Sequence, residues 1–197
     1  MSDIEIVRSW PPEQWMLEDH PYVVDNARRV VINSKRKGGT YFTDYRPLYQ
    51  VGQDMIHLDW DMAIGRDELR DFADRCRENP HKLRTMACRT YPTRRYQLGL
   101  DETKQTEWHA WHSLNPKVEV EPGDPYCKWF SFAAIYLPWS IWKPFVESFG
   151  DKRDIWCSAR SLASWYHINV EDKIALDWET NIVHVNYSIK DALDLEY

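Results

Sequence analysis

Met55-Ile56-His57-Leu58-Asp59-Trp60-Asp61, followed by Gly65 and the run from Arg66 to Asn79, is the stretch that decides how this chain folds. Its first four residues read as a buried strand that runs directly into the acidic triplet Asp59-Trp60-Asp61. Beyond Gly65, the apolar residues Leu69, Phe72, Ala73 and Cys76 recur at the spacing of one helical face. Asp67 and Glu68 suit the positive N-terminal end of that helix, and Pro80 follows its last turn. Strand, acidic loop and helix together make an α/β unit.

Upstream, Ser9-Trp10-Pro11-Pro12-Glu13 reads as a helix start with Ser9 as N-cap, and the helix is expected to run to about Asp19. Arg29-Val30-Val31-Ile32-Asn33 is a β-branched strand, ended by a mobile basic loop from Ser34 to Gly39. Downstream, Tyr91 to Pro125 is polar and Pro-interrupted, which predicts irregular structure around a short helix or strands. Cys127 to Leu137 reads as a buried strand. After Pro138 a helix carries Ile141, Trp142, Phe145, Val146 and Phe149 inward, with Gly150 closing it. Asp151 to Asp154 leads into another helix through about His167, and Asn181 to Tyr187 is the closing strand, with His184 at its centre. No repeat or long linker divides the chain, so residues 1–197 are expected to form one domain.

Composition narrows the function classes. A chain that is 43% hydrophobic and 28% charged is globular rather than disordered. Cys76, Cys88, Cys127 and Cys157 contain no C-x-x-C pair, so reduced thiols are expected. With no signal peptide and no apolar run of membrane-spanning length, a cytoplasmic protein without a membrane span is expected. A net charge of −6 argues against non-specific coating of nucleic acid. A local basic strip, Arg28, Arg29, Lys35, Arg36, Lys37 and Arg46, could still meet phosphates.

Residues two apart in an extended segment project to the same side, so Asp59 and Asp61 can offer both carboxylates to one point beyond a strand end. Hard divalent ions take such oxygen ligands together with substrate phosphates, and open α/β sheets bind ligands beyond the carboxyl ends of their strands. The same triplet also occurs on ordinary surface turns. Alone, His184 reads as a hydrogen-bonded strand residue and Asp154 as a cap of the following helix. His109-Ala110-Trp111-His112 has the spacing of two imidazoles on one helical face, with no third ligand.

The run Ile56 to Ala63 resembles the D-x-D region of GT-A-type glycosyltransferases, particularly compact phage-encoded members. Trp129 to Pro138 is similar to that family's aromatic strand before the acceptor-side helix. Asp151-Lys152-Arg153-Asp154-Ile155-Trp156 resembles its later acidic motif, and Val183-His184-Val185 its C-terminal strand. The likeness spans roughly Arg29 to Tyr187. The family's N-terminal strand would come from Ile4 to Arg8 or from Arg29 to Asn33.

The resemblance implies a single-domain, Rossmann-like GT-A fold with a mixed central sheet flanked by helices. It also implies an enzyme that moves a sugar from a nucleotide-sugar donor to a hydroxyl acceptor, with modified phage DNA bases as one acceptor class. In that scheme Asp59 contacts the donor's sugar or ribose and Asp61 holds Mn²⁺ or Mg²⁺ on the diphosphate. His184 is a further metal ligand and Asp154 the base, with Asp151 in reserve. The alternatives are a non-catalytic nucleotide-sugar or protein-binding module of the same fold, and a metal-dependent phosphohydrolase. Sugar, acceptor, stereochemical outcome and oligomeric state are left open.

Overall fold

The computed structural model describes residues 3–10, 27–37, 40–59, 62–90, 107–109, 123, 125–127, 130, 132–150, 157–180 and 182–184. Its strands, in chain order, begin with β1 (Glu5–Trp10), β2 (Arg28–Val31), β3 (Asn33–Lys37), β4 (Thr40–Asp44), β5 (Met55–Asp59) and β6 (Met62–Ile64). They continue with β7 (Arg84–Met86), β8 (Cys88–Thr90), β9 (Glu107–His109), β10 (Tyr126–Cys127), β11 (Ala134–Leu137), β12 (Ile174–Asp177) and β13 (Ile182–His184). The helices are α1 (Arg66–Glu78), α2 (Trp139–Glu147) and α3 (Ala159–Asn169), with a 3-10 turn at Arg46–Val51.

This is the mixed α/β architecture expected, a central sheet with helices on both faces. Its order is β10-β12-β7-β11-β5-β1-β2. Strand β1 runs parallel to both β2 and β5, and β12 runs parallel to β7, as in Rossmann-like sheets. Antiparallel β11 lies between β5 and β7. A four-stranded sheet, β6-β13-β8-β9, stands beside the acidic triplet.

Burial on both faces explains the near-continuous apolar strands β5 and β11. On one face Val7, Met55, Ile135 and Leu137 pack against Trp142 and Phe145 of α2 and Leu162 and Tyr166 of α3. On the other, Ile56, Leu58 and Tyr136 meet the Leu69, Phe72, Ala73 and Cys76 stripe of α1, the face read from the sequence. Helix α2 carries Ile141, Trp142 and Phe145 inward as expected, and the Asp54 carboxylate secures its start by accepting from Trp139 N at 2.7 Å.

Several local expectations are corrected. Ser9 is not a helix cap but a residue inside β1, because the strand gains parallel partners on both sides. Residues 11–19 of the expected helix lie outside the described residues. The basic stretch is no simple loop: Asn33 to Lys37 pairs in full register with Thr40 to Asp44 as a hairpin. Cys127 to Leu137 is split into β10 and β11, which pair with different strands. His109 falls in a strand rather than on a helix, and His112 lies outside the described residues. Helix α3 is capped by Ser158, whose side chain accepts from Ser161 N while Ser161 Oγ accepts from Ser158 N, a reciprocal capping box. Asp154, four residues earlier and outside the described residues, is therefore not its cap.

Strand β13 is tied to the main sheet by a buried ion pair. Asp177, at the end of β12, accepts from Arg75 Nε at 2.7 Å and Nη2 at 3.0 Å, and from Thr180 N and Oγ1 at 3.0 and 2.7 Å. Burial opposes ionisation of this carboxyl, but Arg75 and Thr180 outweigh it and hold its pKa below the ordinary aspartate value. The grip links α1 to the turn that enters β13.

Candidate functional site

The site is built where β1 and β5 end side by side. Their parallel register sets Ser9 against Asp59 and Val7 against His57, so Ser9, His57 and Asp59 share the face of the sheet that bears α2 and α3. Arg8 and Leu58 lie on the α1 face.

Asp59 is fixed from several directions. Its backbone N–H donates to Ala133 O at 2.7 Å. Ser9 Oγ donates to Asp59 Oδ1 at 3.0 Å, and the Tyr45 hydroxyl lies 3.2 and 3.3 Å from the two carboxylate oxygens. Tyr45 is itself held by stacking on Phe132, ring centroids 4.0 Å apart. The Asp59 side chain keeps 20% exposure, so the carboxylate is oriented yet reachable from solvent.

His57 lies beneath this carboxylate, fully buried. Its Nδ1 sits 2.6 Å from Phe132 O, and a carbonyl only accepts, so Nδ1 carries the proton. Nε2 then presents a lone pair 3.7 Å from Asp59 Oδ1, with no hydrogen-bond partner among the described residues. Burial lowers the imidazole pKa to about 3, against the Phe132 hydrogen bond that raises it and with Arg8 adding to the depression.

Neutral His57 makes the fold acid-sensitive. An unfolded chain binds a proton on His57 below the ordinary value of 6.5, whereas the folded chain does so only near pH 3. Stability therefore rises with pH across that window, is lost on acidification and is unaffected by this group above it, with a slope of at most about 1.4 kcal/mol per pH unit. Denaturant melts of the wild type and His57→Asn, which keeps an N–H donor but cannot titrate, should differ by up to that slope between about pH 4 and 6. Parallel pH profiles would show that His57 is not held neutral.

Strand β6 begins at Met62, three residues after Asp59. Trp60 and Asp61 lie outside the described residues, so the Asp61 carboxylate is not located. Strand β6 pairs antiparallel with β13, and the register sets His184 opposite Met62, the residue after Asp61. The two sequence segments predicted to share a metal, 123 positions apart by Asp61 and His184, thus meet at one backbone position. The His184 side chain and Asp154 also lie outside the described residues. Among the described residues no three His, Cys, Asp or Glu side chains gather as a metal-holding group.

Sequence reading missed Arg8, Ser9, Tyr45 and His57. A histidine and an arginine inside otherwise apolar strands were the available signals. The basic strip is reduced: Arg46 is paired with Asp44 through Nε at 2.8 Å, and Arg28 with Glu5 at 3.6 Å. Lys35, Arg36 and Lys37 follow one another along β3. Cys76, Cys127 and Cys157 are free and buried; burial pushes the Cys127 thiol up to about 12 and the other two higher still, which makes them poor nucleophiles. No helix among the described residues is long and apolar enough to cross a membrane.

No protein-family model matches this chain, and no curated protein matches it. Among solved structures it is similar to the crystal structure of A197 from STIV, at 7% identity and a TM-score of 0.48, over 94% of this chain and 87% of that one. No functional statement about this chain rests on a likeness of that degree.

Proposed function

We propose that this protein is a metal-dependent glycosyltransferase that moves a sugar from a nucleotide-sugar donor to a hydroxyl acceptor. One observation carries the reading: the strand bearing His184 pairs with the strand that leaves Asp61, beside an Asp59 carboxylate oriented at the carboxyl ends of β1 and β5. Ligand sites of open α/β sheets lie at such strand ends.

One carboxylate and one imidazole leave a divalent ion positions open for phosphate oxygens. In this reading Asp61 and His184 hold Mn²⁺ or Mg²⁺. The bound ion supplies Lewis-acid stabilisation of the departing nucleoside diphosphate. Asp59, steadied by Ser9 and Tyr45, accepts a hydroxyl of the donor's sugar or ribose and so orients the donor. Asp154 takes the acceptor proton as the acceptor oxygen bonds to the anomeric carbon and the bond from that carbon to the diphosphate breaks. A modified DNA base is one acceptor class, supported by the run of cationic residues along β3.

A thermal-shift screen of nucleotide sugars with and without Mn²⁺ tests the proposal, because a ligand of the native state raises stability by mass action. A shift that requires both nucleotide sugar and metal, followed by metal-dependent turnover of that donor, is the expected result. Donor binding without turnover would favour a binding module, and release of free phosphate without sugar transfer a phosphohydrolase.

A further inference from the structure

One buried side chain holds the two described residues, Asp59 and Met62, that flank Trp60 and Asp61 in the sequence. Arg8 is buried to 1% exposure on the α1 face of the sheet, opposite the Asp59 carboxylate. Its terminal Nη1 donates both to Asp59 O, at 3.2 Å, and to Met62 O, at 2.9 Å. These two carbonyls bracket Trp60 and Asp61. Here one nitrogen of a buried guanidinium, Nη1, serves the carbonyls of Asp59 and Met62 together. Strand β1 is secured on both sides by parallel neighbours, so the grip has a rigid base.

We infer that Arg8 is the positioning residue of the site: its guanidinium sets the separation of the Asp59 and Met62 carbonyls, which belong to the described residues on either side of Asp61 in the sequence. The inference rests on the proposed role of Asp61 for its functional consequence, but not for its structural content. Asp59 has further tethers: its N–H donates to Ala133 O, and its carboxylate accepts from Ser9 and Tyr45. Met62 has the pairing of β6 with β13. Arg8 alone, among the described contacts, joins the two ends. Lysine cannot replace it, because a single ammonium on a flexible stem lacks the planar fork that fixes donor directions.

Arg8→Lys and Arg8→Met test this, read by hydrogen exchange of the amides of residues 60–63 and by Mn²⁺ binding in the presence of inorganic pyrophosphate, followed by electron paramagnetic resonance. Exchange at 60–63 should rise at least about tenfold in both variants, while the amides of α2 and α3 keep their wild-type rates. Affinity for Mn²⁺ with pyrophosphate should fall by at least about tenfold, a loss that a general packing defect with intact α2 and α3 would not produce. Unchanged exchange at 60–63 in a folded variant overturns the inference. If the wild type binds no Mn²⁺ with pyrophosphate, the metal reading of Asp61 falls, while the exchange data still decide the role of Arg8. Should neither variant fold, the wild type decides: exchange at 60–63 as fast as in unstructured peptide would mean that nothing grips the turn.

Discussion

Asp61→Asn is expected to lower sugar transfer by about a thousandfold or more while leaving the melting temperature essentially unchanged. Asparagine keeps the size of the side chain and removes the charge that holds the cation, so the loss should appear as lost metal dependence rather than lost folding. Asp59→Asn provides the contrast. That carboxylate accepts from Ser9 and Tyr45 inside the sheet, so its replacement disturbs two hydroxyl donors and should cost stability as well as donor binding. Steady-state turnover against Mn²⁺ concentration, with melts of each variant, separates the two. Near-normal turnover in Asp61→Asn would remove Asp61 as the principal ligand.

Asp154→Asn should reduce acceptor-dependent turnover by at least about a hundredfold, with donor binding preserved, since a general base contributes about 10²–10⁴-fold. The fold sharpens this test. Because Ser158 caps α3, with Ser161 completing the capping box, Asp154→Ala should retain the same stability as Asp154→Asn. Ser158→Ala, by comparison, should lose about 1 kcal/mol of stability and no chemistry. If Asp154→Asn turns over normally while Asp151→Asn is inactive, the base is Asp151. Normal turnover in both variants would exclude a base in this acidic segment and favour a retaining mechanism or a base elsewhere in the cleft.

The parts of the fold that could be read from sequence are those whose cause is local. Met55 to Asp59 and Arg66 to Glu78 appear within a residue or so of their expected places, because a continuous apolar run and a 3.6-residue stripe are written in consecutive residues. Ser9 shows the opposite case. Ser-Trp-Pro-Pro carries the local signature of a helix start, yet parallel pairing with residues about fifty positions away makes it a strand that delivers a hydroxyl to Asp59. Tyr45 lies 14 positions from Asp59 in the sequence and Arg8 lies 51, so no window of periodicity reveals either contact. The hairpin at Asn33 to Asp44 was hidden by its own composition, since a run of cationic residues reads as solvated loop unless the partner strand is known. For the candidate site, the acidic pair and His184 were legible as residue types in an α/β context. The pairing that sets His184 opposite Met62 was not, because β6 and β13 lie far apart in the sequence.

The measurement that bears most directly on the central claim is calorimetric titration of the wild-type protein with nucleoside diphosphates, once in Mn²⁺ and once in EDTA. One carboxylate and one imidazole leave coordination positions that phosphate oxygens fill, so the account predicts saturable binding that is much tighter with Mn²⁺ than with EDTA. Equal affinity in the two conditions would contradict it and take the metal out of the site.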